Sequence, residues 1–154
     1  MEKMLGIHQL PQMELPQYNF RLKAKEFNKS SEDFTIWFLE SILENNPNHV
    51  DCLMYLGNVY TATGRYKEGL KVDQNLVRLR PEDPVAHYNL ACSYSLLGDL
   101  DAAFKALEEA VALGYKDLVH LQRDRDLDNL RKDHRYQVLV DRVKISINSM
   151  KGQS

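Results

Sequence analysis

Three aspartates, Asp124, Asp126 and Asp128, alternate as D-x-D-x-D. That spacing opens a calcium loop, in which alternate side chains converge on one ion. Such a loop needs glycine at its sixth position and a bidentate glutamate at its twelfth. Those positions hold Asn129 and Arg135, and Arg125 and Arg131 neutralise the site further. The aspartates therefore read as helix caps and solvated turn residues. Zinc is the next chemistry to weigh. His49 and Cys52 lie three apart and can share a helix face, whereas His87 and Cys92, five apart, cannot easily do so. A zinc site needs four convergent ligands with supporting contacts. Structural cysteines and a packed, interior histidine are the better reading. Cys92 as a nucleophile would need a base within reach and an oxyanion site, and no spacing supplies either. No phosphate loop, G-x-S-x-G or H-E-x-x-H occurs, and the seven glycines are not grouped to cradle a phosphate. The expectation is a non-catalytic chain with no metal and no cofactor.

Bulk properties narrow the class. A length of 154 residues suits one domain or a short repeat array. Apolar residues at 44% and charged residues at 27% indicate an ordinary folded chain. Lys+Arg is 20 against Asp+Glu 22, so there is no basic excess for sequence-independent phosphate binding. No run of eighteen apolar residues is present, which argues against a membrane-spanning helix. The opening MEKMLGIHQLPQ lacks the apolar stretch of a signal peptide. Two cysteines are too few for a disulfide framework and fit a reducing, cytoplasmic setting.

The elements that position these residues follow from an internal period. Pro47 and Pro81 are 34 residues apart, as are Leu56 and Leu90, Tyr60 and Tyr94, and Gly64 and Gly98; Leu22 and Leu56 extend the same spacing backwards. Gly64 and Gly98 sit where a helix must stop and suit a left-handed C-cap. Asp99 can cap the following helix, and Asp83 with Pro84 the one before it. Pro47 and Pro81 follow helices they cannot continue. Residues 50–83 and 84–117 thereby resemble the tetratricopeptide repeat, a helix–turn–helix unit of this period. The first is similar at Leu53, Leu56, Gly57, Tyr60, Gly64, Tyr66 and Pro81, the second at Leu90, Ala91, Tyr94, Gly98, Ala103 and Ala110. Tyr115 stands at the second unit's closing proline. Gly57 and Ala91 are small because the partner helix of the same hairpin crosses closely there.

A degenerate unit precedes these two. Residues 18–30 resemble its first helix, with Lys23 and Glu26 in place of the small residue and the tyrosine. Residues 33–49 resemble its second, with Leu39, Ile42 and Leu43 inward and Trp37 in the inter-helix core. The stretch after Tyr115 resembles the closing segment of bacterial arrays: a short helix, a D-x-D-L-x-x-L turn and a last helix. Arg125 and His134 replace the prolines that commonly follow its aspartates. Leu118, Leu121, Leu127, Leu130, Tyr136, Leu139, Val140 and Val143 are spaced to cover the apolar face of a last repeat. The expected organisation is an arm at 1–16, an all-α, right-handed superhelix at 17–148 and a tail at 149–154. Within the superhelix the units are 17–48, 49–82 and 83–116, with closing helices at 117–148. The arm reads as a frayed strap or as a short apolar peptide that docks in a groove.

The resemblance implies a concave surface lined by the first helix of each hairpin. Its exposed positions would be Gln17, Phe20, Ala24, Asp51, Met54, Tyr55, Asn58, Val85, Tyr88, Asn89, Cys92 and Ser95. Tyrosine and methionine suit peptide recognition, and asparagine can hold an extended backbone. The family's carboxylate clamp is matched at Asn58 and Asn89, and by Arg123 at its final arginine, but Met54 and Val119 replace both lysines. No chaperone-tail clamp is expected. The implied function is a protein–protein interaction module or adaptor binding a partner segment across Phe20, Asp51, Met54, Tyr55, Asn58, Tyr88, Asn89, Cys92 and Arg123. The alternative is a structural or regulatory subunit acting through its convex face, its ends or the arm, with self-association as one form. Nucleic acid and membrane are not expected partners.

Overall fold

The computed structural model describes residues 31–151. These form α1 (Ser31–Asn45), α2 (Val50–Ala62), α3 (Tyr66–Leu79), α4 (Pro84–Leu97), α5 (Leu100–Ala112), α6 (Leu118–Arg123), a short 3₁₀ turn (Arg125–Leu127), α7 (Asp128–Arg131) and α8 (His134–Lys151). No strand occurs among the described residues, and no helix there is long and apolar enough to cross a membrane. The expected arm at 1–16, the helix at 18–30 and the end of the tail lie outside the described residues.

Local chemistry sets each boundary. Gly64 and Gly98 have φ of 74° and 81°, the left-handed conformation expected where a helix is stopped. Asp83 Oδ1 accepts from the Val85 amide at 2.9 Å, and Asp99 Oδ1 from the Ala102 amide at 3.2 Å, each satisfying an orphan helix donor. His49 does the same for α2: its Nδ1 accepts from the Cys52 amide at 3.2 Å. The three-residue spacing of that pair is therefore a cap. His87 is half-buried rather than interior, with Nε2 2.8 Å from the Pro81 carbonyl.

α2 pairs with α3, and α4 with α5, as two stacked antiparallel hairpins, while α1 packs on α2. A Cβ on Gly57 would lie 3.5 Å from Val72 and 3.2 Å from Asp73 Oδ1, so α3 crosses α2 where the small residue was expected. Ala91 is fully buried at the equivalent crossing. One core joins Ile36, Leu39, Leu53, Leu56, Tyr60, Val72 and Leu76. A second joins Ala91, Phe104 and Leu107 to Leu121, Leu127, Leu130, Leu139, Val140 and Val143 of the closing segment. Each fully buried leucine contributes roughly 2 kcal/mol of transfer free energy, so the closing segment is held mainly by this apolar face. The Tyr136 hydroxyl fixes its register by donating to the Leu121 carbonyl at 2.5 Å. The architecture is an all-α solenoid with a closing cap. Trp37 is half-buried and meets Phe34, ring centroids 5.7 Å apart.

Candidate functional site

The first helices of the two hairpins carry the expected face. On α2, Asp51, Tyr55 and Asn58 are exposed and Met54 is half-buried. On α4, Val85 is exposed and Asn89 half-buried. Tyr55 is the most open of the aromatic positions, 58% exposed. The other α4 positions differ from expectation. Tyr88 is 3% exposed, and Cys92 and Ser95 are buried as well. The cause is the closing segment, which folds against this end of α4. Asp124 Oδ2 accepts from the Tyr88 hydroxyl at 2.8 Å and lies 3.7 Å from the Cys92 thiol. Tyr88 stacks on Tyr115, centroids 4.3 Å apart, and lies under the His120 ring at 5.4 Å. Asn129 donates to the Ser95 carbonyl at 2.9 Å. Arg123 is exposed on α6 and does not line the pocket between these helices. Phe20, with Gln17 and Ala24, lies outside the described residues.

Between α2, α4 and the closing segment is a pocket of about 410 Å³. Asn58, Asn89, Tyr88 and Cys92 line it, together with Gly57, Thr61, Asp73, His120, Asp124 and Asp126. Asp73 comes from the second helix of its hairpin. It reaches the pocket because Gly57 has no side chain to block it. Its Oδ2 accepts from the Ser93 hydroxyl at 2.5 Å. Burial pushes its carboxyl up to about 6, against the pull of the Ser93 hydrogen bond. Asp126 is also raised, chiefly by burial and then by its neighbours Asp124 and Asp128. Burial, with Asp124, Asp126 and Asp73 nearby, pushes the Cys92 thiol well up. That thiol stays protonated near neutral pH, which suits neither a nucleophile nor a ready metal ligand.

Cys92, Asp124 and Asp126 are the described residues that could share a metal ion, one ligand atom from each lying within 4.8 Å of the others. Asp124 is already engaged. One oxygen caps the turn by accepting from the Asp126 amide at 3.0 Å, and the other meets Tyr88 and His120. Asp124 is thus a cap of the kind the D-x-D spacing suggested, Asp128 pairs with Arg131, and Asp124 and Asp126 form one wall of the pocket.

Sequence reasoning missed Asp73 and His120 as lining residues. Asp73 did leave a signal. It lies on the buried stripe of α3 with Gly69, Val72 and Leu76, where a carboxylate is out of place.

Hairpins stacked around a lined concavity define a helical-repeat scaffold. A family model described as tetratricopeptide repeat matches residues 84–113. The chain is a tetratricopeptide-repeat protein. It is 37% identical over 87 residues to a chloroplastic protein of Arabidopsis thaliana, covering 54% of this chain and 26% of that one. It is 30% identical over 122 residues to a peroxisomal targeting signal receptor of Pichia angusta, covering 79% of this chain and 21% of the receptor. The chain thus spans about a quarter or less of those curated relatives. A crystal structure of MamA shares the fold with a TM-score of 0.62 at 24% identity, over 80% of this chain and 72% of that one. A MamA structure from Desulfovibrio magneticus RS-1 does so at 0.58 and 23%, over 72% and 65% of the two chains.

Proposed function

We propose that this interaction module holds an extended segment of a partner protein along the concave face formed by α2 and α4. Tyr55, Asn58 and Asn89 are the central contacts, flanked by Asp51 and Met54. Tyr88 and Cys92 shape the pocket floor beneath them, with Arg123 toward the closing segment. The observation that carries the reading is Tyr55, open to solvent one helical turn from exposed Asn58, which lines the pocket. An exposed tyrosine offers rigid contact area at small entropic cost. One relative is by name a receptor for a targeting signal, which accords with recognition of a segment. The role proposed is non-catalytic, in keeping with the helical-repeat scaffold. Two unpaired cysteines suit a reducing compartment such as the cytoplasm.

The test is affinity capture from source extract, with wild type beside Tyr55→Ala/Asn58→Ala/Asn89→Ala after both are shown to be folded. Truncating central contacts costs about 1–2 kcal/mol each, so a groove partner should be lost from the variant. A specific partner kept by the variant refutes the groove. A second reading has its own observation: Val138 and Ile145 of α8 are exposed on the outer side of the cap. A mass that rises with concentration, and falls with Val138→Asp/Ile145→Asp, would favour contact through that end.

A further inference from the structure

The pocket in the concave face has a marked charge asymmetry. Asp73, Asp124 and Asp126 line it, from two different parts of the fold, and among the described residues neither lysine nor arginine does. Ligand atoms of Asp124 and Asp126 lie within 4.8 Å of each other and of the Cys92 thiol, and Asp73 lines the same pocket. Asp124 has partners in Tyr88, His120 and the Asp126 amide. Arg123 and Arg125, beside it in the chain, are exposed and turn away from the lining. Arg131 spends its guanidinium on the backbone carbonyls of Leu121 and Asp124 and on Asp128. None of the three compensates the pocket carboxylates.

Asp73 is the second and independent observation. It is 5% exposed, and among the described residues one of its two oxygens, the one facing Ser93, has a hydrogen bond. The other oxygen lies toward Gly57, itself part of the pocket lining. No cation among the described residues acts on this carboxyl. A buried carboxylate with no counter-ion is costly to keep charged, and an oxygen open to the pocket can be met by an incoming cation.

We propose that this pocket is a subsite for a cationic side chain, an arginine or lysine, carried by the partner segment. The inference rests on the groove reading and adds the partner's chemistry to it. An arginine fits best. Its guanidinium presents five donors in a planar fork and can address carboxylates on opposite walls at once. Its apolar stem would lie between Asn58 and Asn89. A metal ion is the weaker occupant, since it would need the Cys92 thiol deprotonated against the field of three carboxylates.

The test uses the ¹⁵N-labelled full chain and a defined probe, Nα-acetyl-arginine amide. Nα-acetyl-citrulline amide, of nearly the same shape and uncharged, is titrated in parallel. Saturable shifts are expected at the amides of Asn58, Asn89, Cys92 and Asp126 with the arginine probe and not with citrulline. Asp73→Asn and Asp126→Asn should each weaken the arginine probe about tenfold, the order expected on losing one charge-assisted bond. If one variant fails to fold, the other, together with the citrulline comparison on wild type, still decides. Equal binding of citrulline, unchanged affinity in both variants, or no saturable shift overturns the subsite. So does zinc chloride shifting the same amides stoichiometrically and excluding the arginine probe. Partner capture separates the two readings. A partner lost in the Tyr55/Asn58/Asn89 variant but kept by Asp73→Asn/Asp126→Asn sinks the subsite and leaves the groove standing. A partner kept by the groove variant removes the groove reading, and the probe titration alone then decides whether the pocket takes a cation.

Discussion

Asp73→Asn should stabilise this protein at neutral pH, and the gain should disappear in acid. In the native chain the Asp73 carboxyl titrates at about 6 instead of 3.8, with burial the largest cause. About two units of difference corresponds to roughly 3 kcal/mol. The sign follows from proton binding. The folded state holds the proton more tightly than the unfolded state, so the stability linked to it is complete below the unfolded value near 3.8. It is lost as pH rises through the folded value near 6. Above that, the native fold carries an uncompensated charge. Asparagine removes the charge and keeps an acceptor for the Ser93 hydroxyl. Urea unfolding at about pH 7.5 should favour the variant by up to roughly 3 kcal/mol, and at about pH 4 the gap should fall below about 1 kcal/mol. In thermal melts the neutral-pH gain corresponds to about 6 °C or more. Other groups titrate over the same range in both proteins and cancel in the difference. A difference independent of pH, or a variant less stable at neutral pH, would refute the account of Asp73 as a buried, unpaired carboxylate.

The two structural predictions concern a turn and the cap. Gly98→Ala should cost about 1–2 kcal/mol in urea unfolding, because φ is 81° while nothing stands within 4 Å of the added methyl, so the penalty is one of backbone alone. Leu121→Ala empties a fully buried position where the closing segment meets α4 and α5, and should lower stability by about 2–5 kcal/mol by the same assay.

What was readable from the sequence was what is local. The left-handed glycines, the aspartate caps at 83 and 99, and the small residue at 57 each act within one turn or one helix crossing. The 34-residue period announces the glycines and the small residue twice, at 64 and 98 and at 57 and 91. Helix positions facing the groove were also readable as a face, since α2 presents Asp51, Met54, Tyr55 and Asn58 together. Exposure on α4 was not. Whether Tyr88, Cys92 and Ser95 meet solvent depends on where residues about thirty positions later fold back, and no periodicity in α4 encodes that. His49 shows a different failure. A histidine three residues from a cysteine suggests ligand chemistry, but at a helix start the same spacing places a ring nitrogen on an orphan amide. Asp73 was readable in principle, as a charge on an apolar stripe. It was overlooked because repeat patterns direct the eye to the first helix of each hairpin.

That oversight bears on how the scaffold makes a site. On the proposed groove, α2 and α4 supply an exposed tyrosine and two amides, groups suited to holding a backbone without much regard to sequence. The charged groups come from elsewhere, Asp73 from the second helix through the gap at Gly57 and Asp124 and Asp126 from the cap. The cap therefore has two jobs. Its leucines cover the apolar end of the array, and its aspartates close the open end of the concavity with negative charge. On the proposed reading, selectivity belongs to the residues that depart from the repeat pattern, while the repeating ones set affinity and register. The same division explains why the lysines of a carboxylate clamp have no place here. With three carboxylates already around the pocket, an incoming anionic terminus would be repelled at short range in a partly dry site. Met54 and Val119 at the lysine positions leave that field uncompensated, and the two departures from the clamp, lost cations and gained anions, both accord with the cationic side chain proposed for the partner.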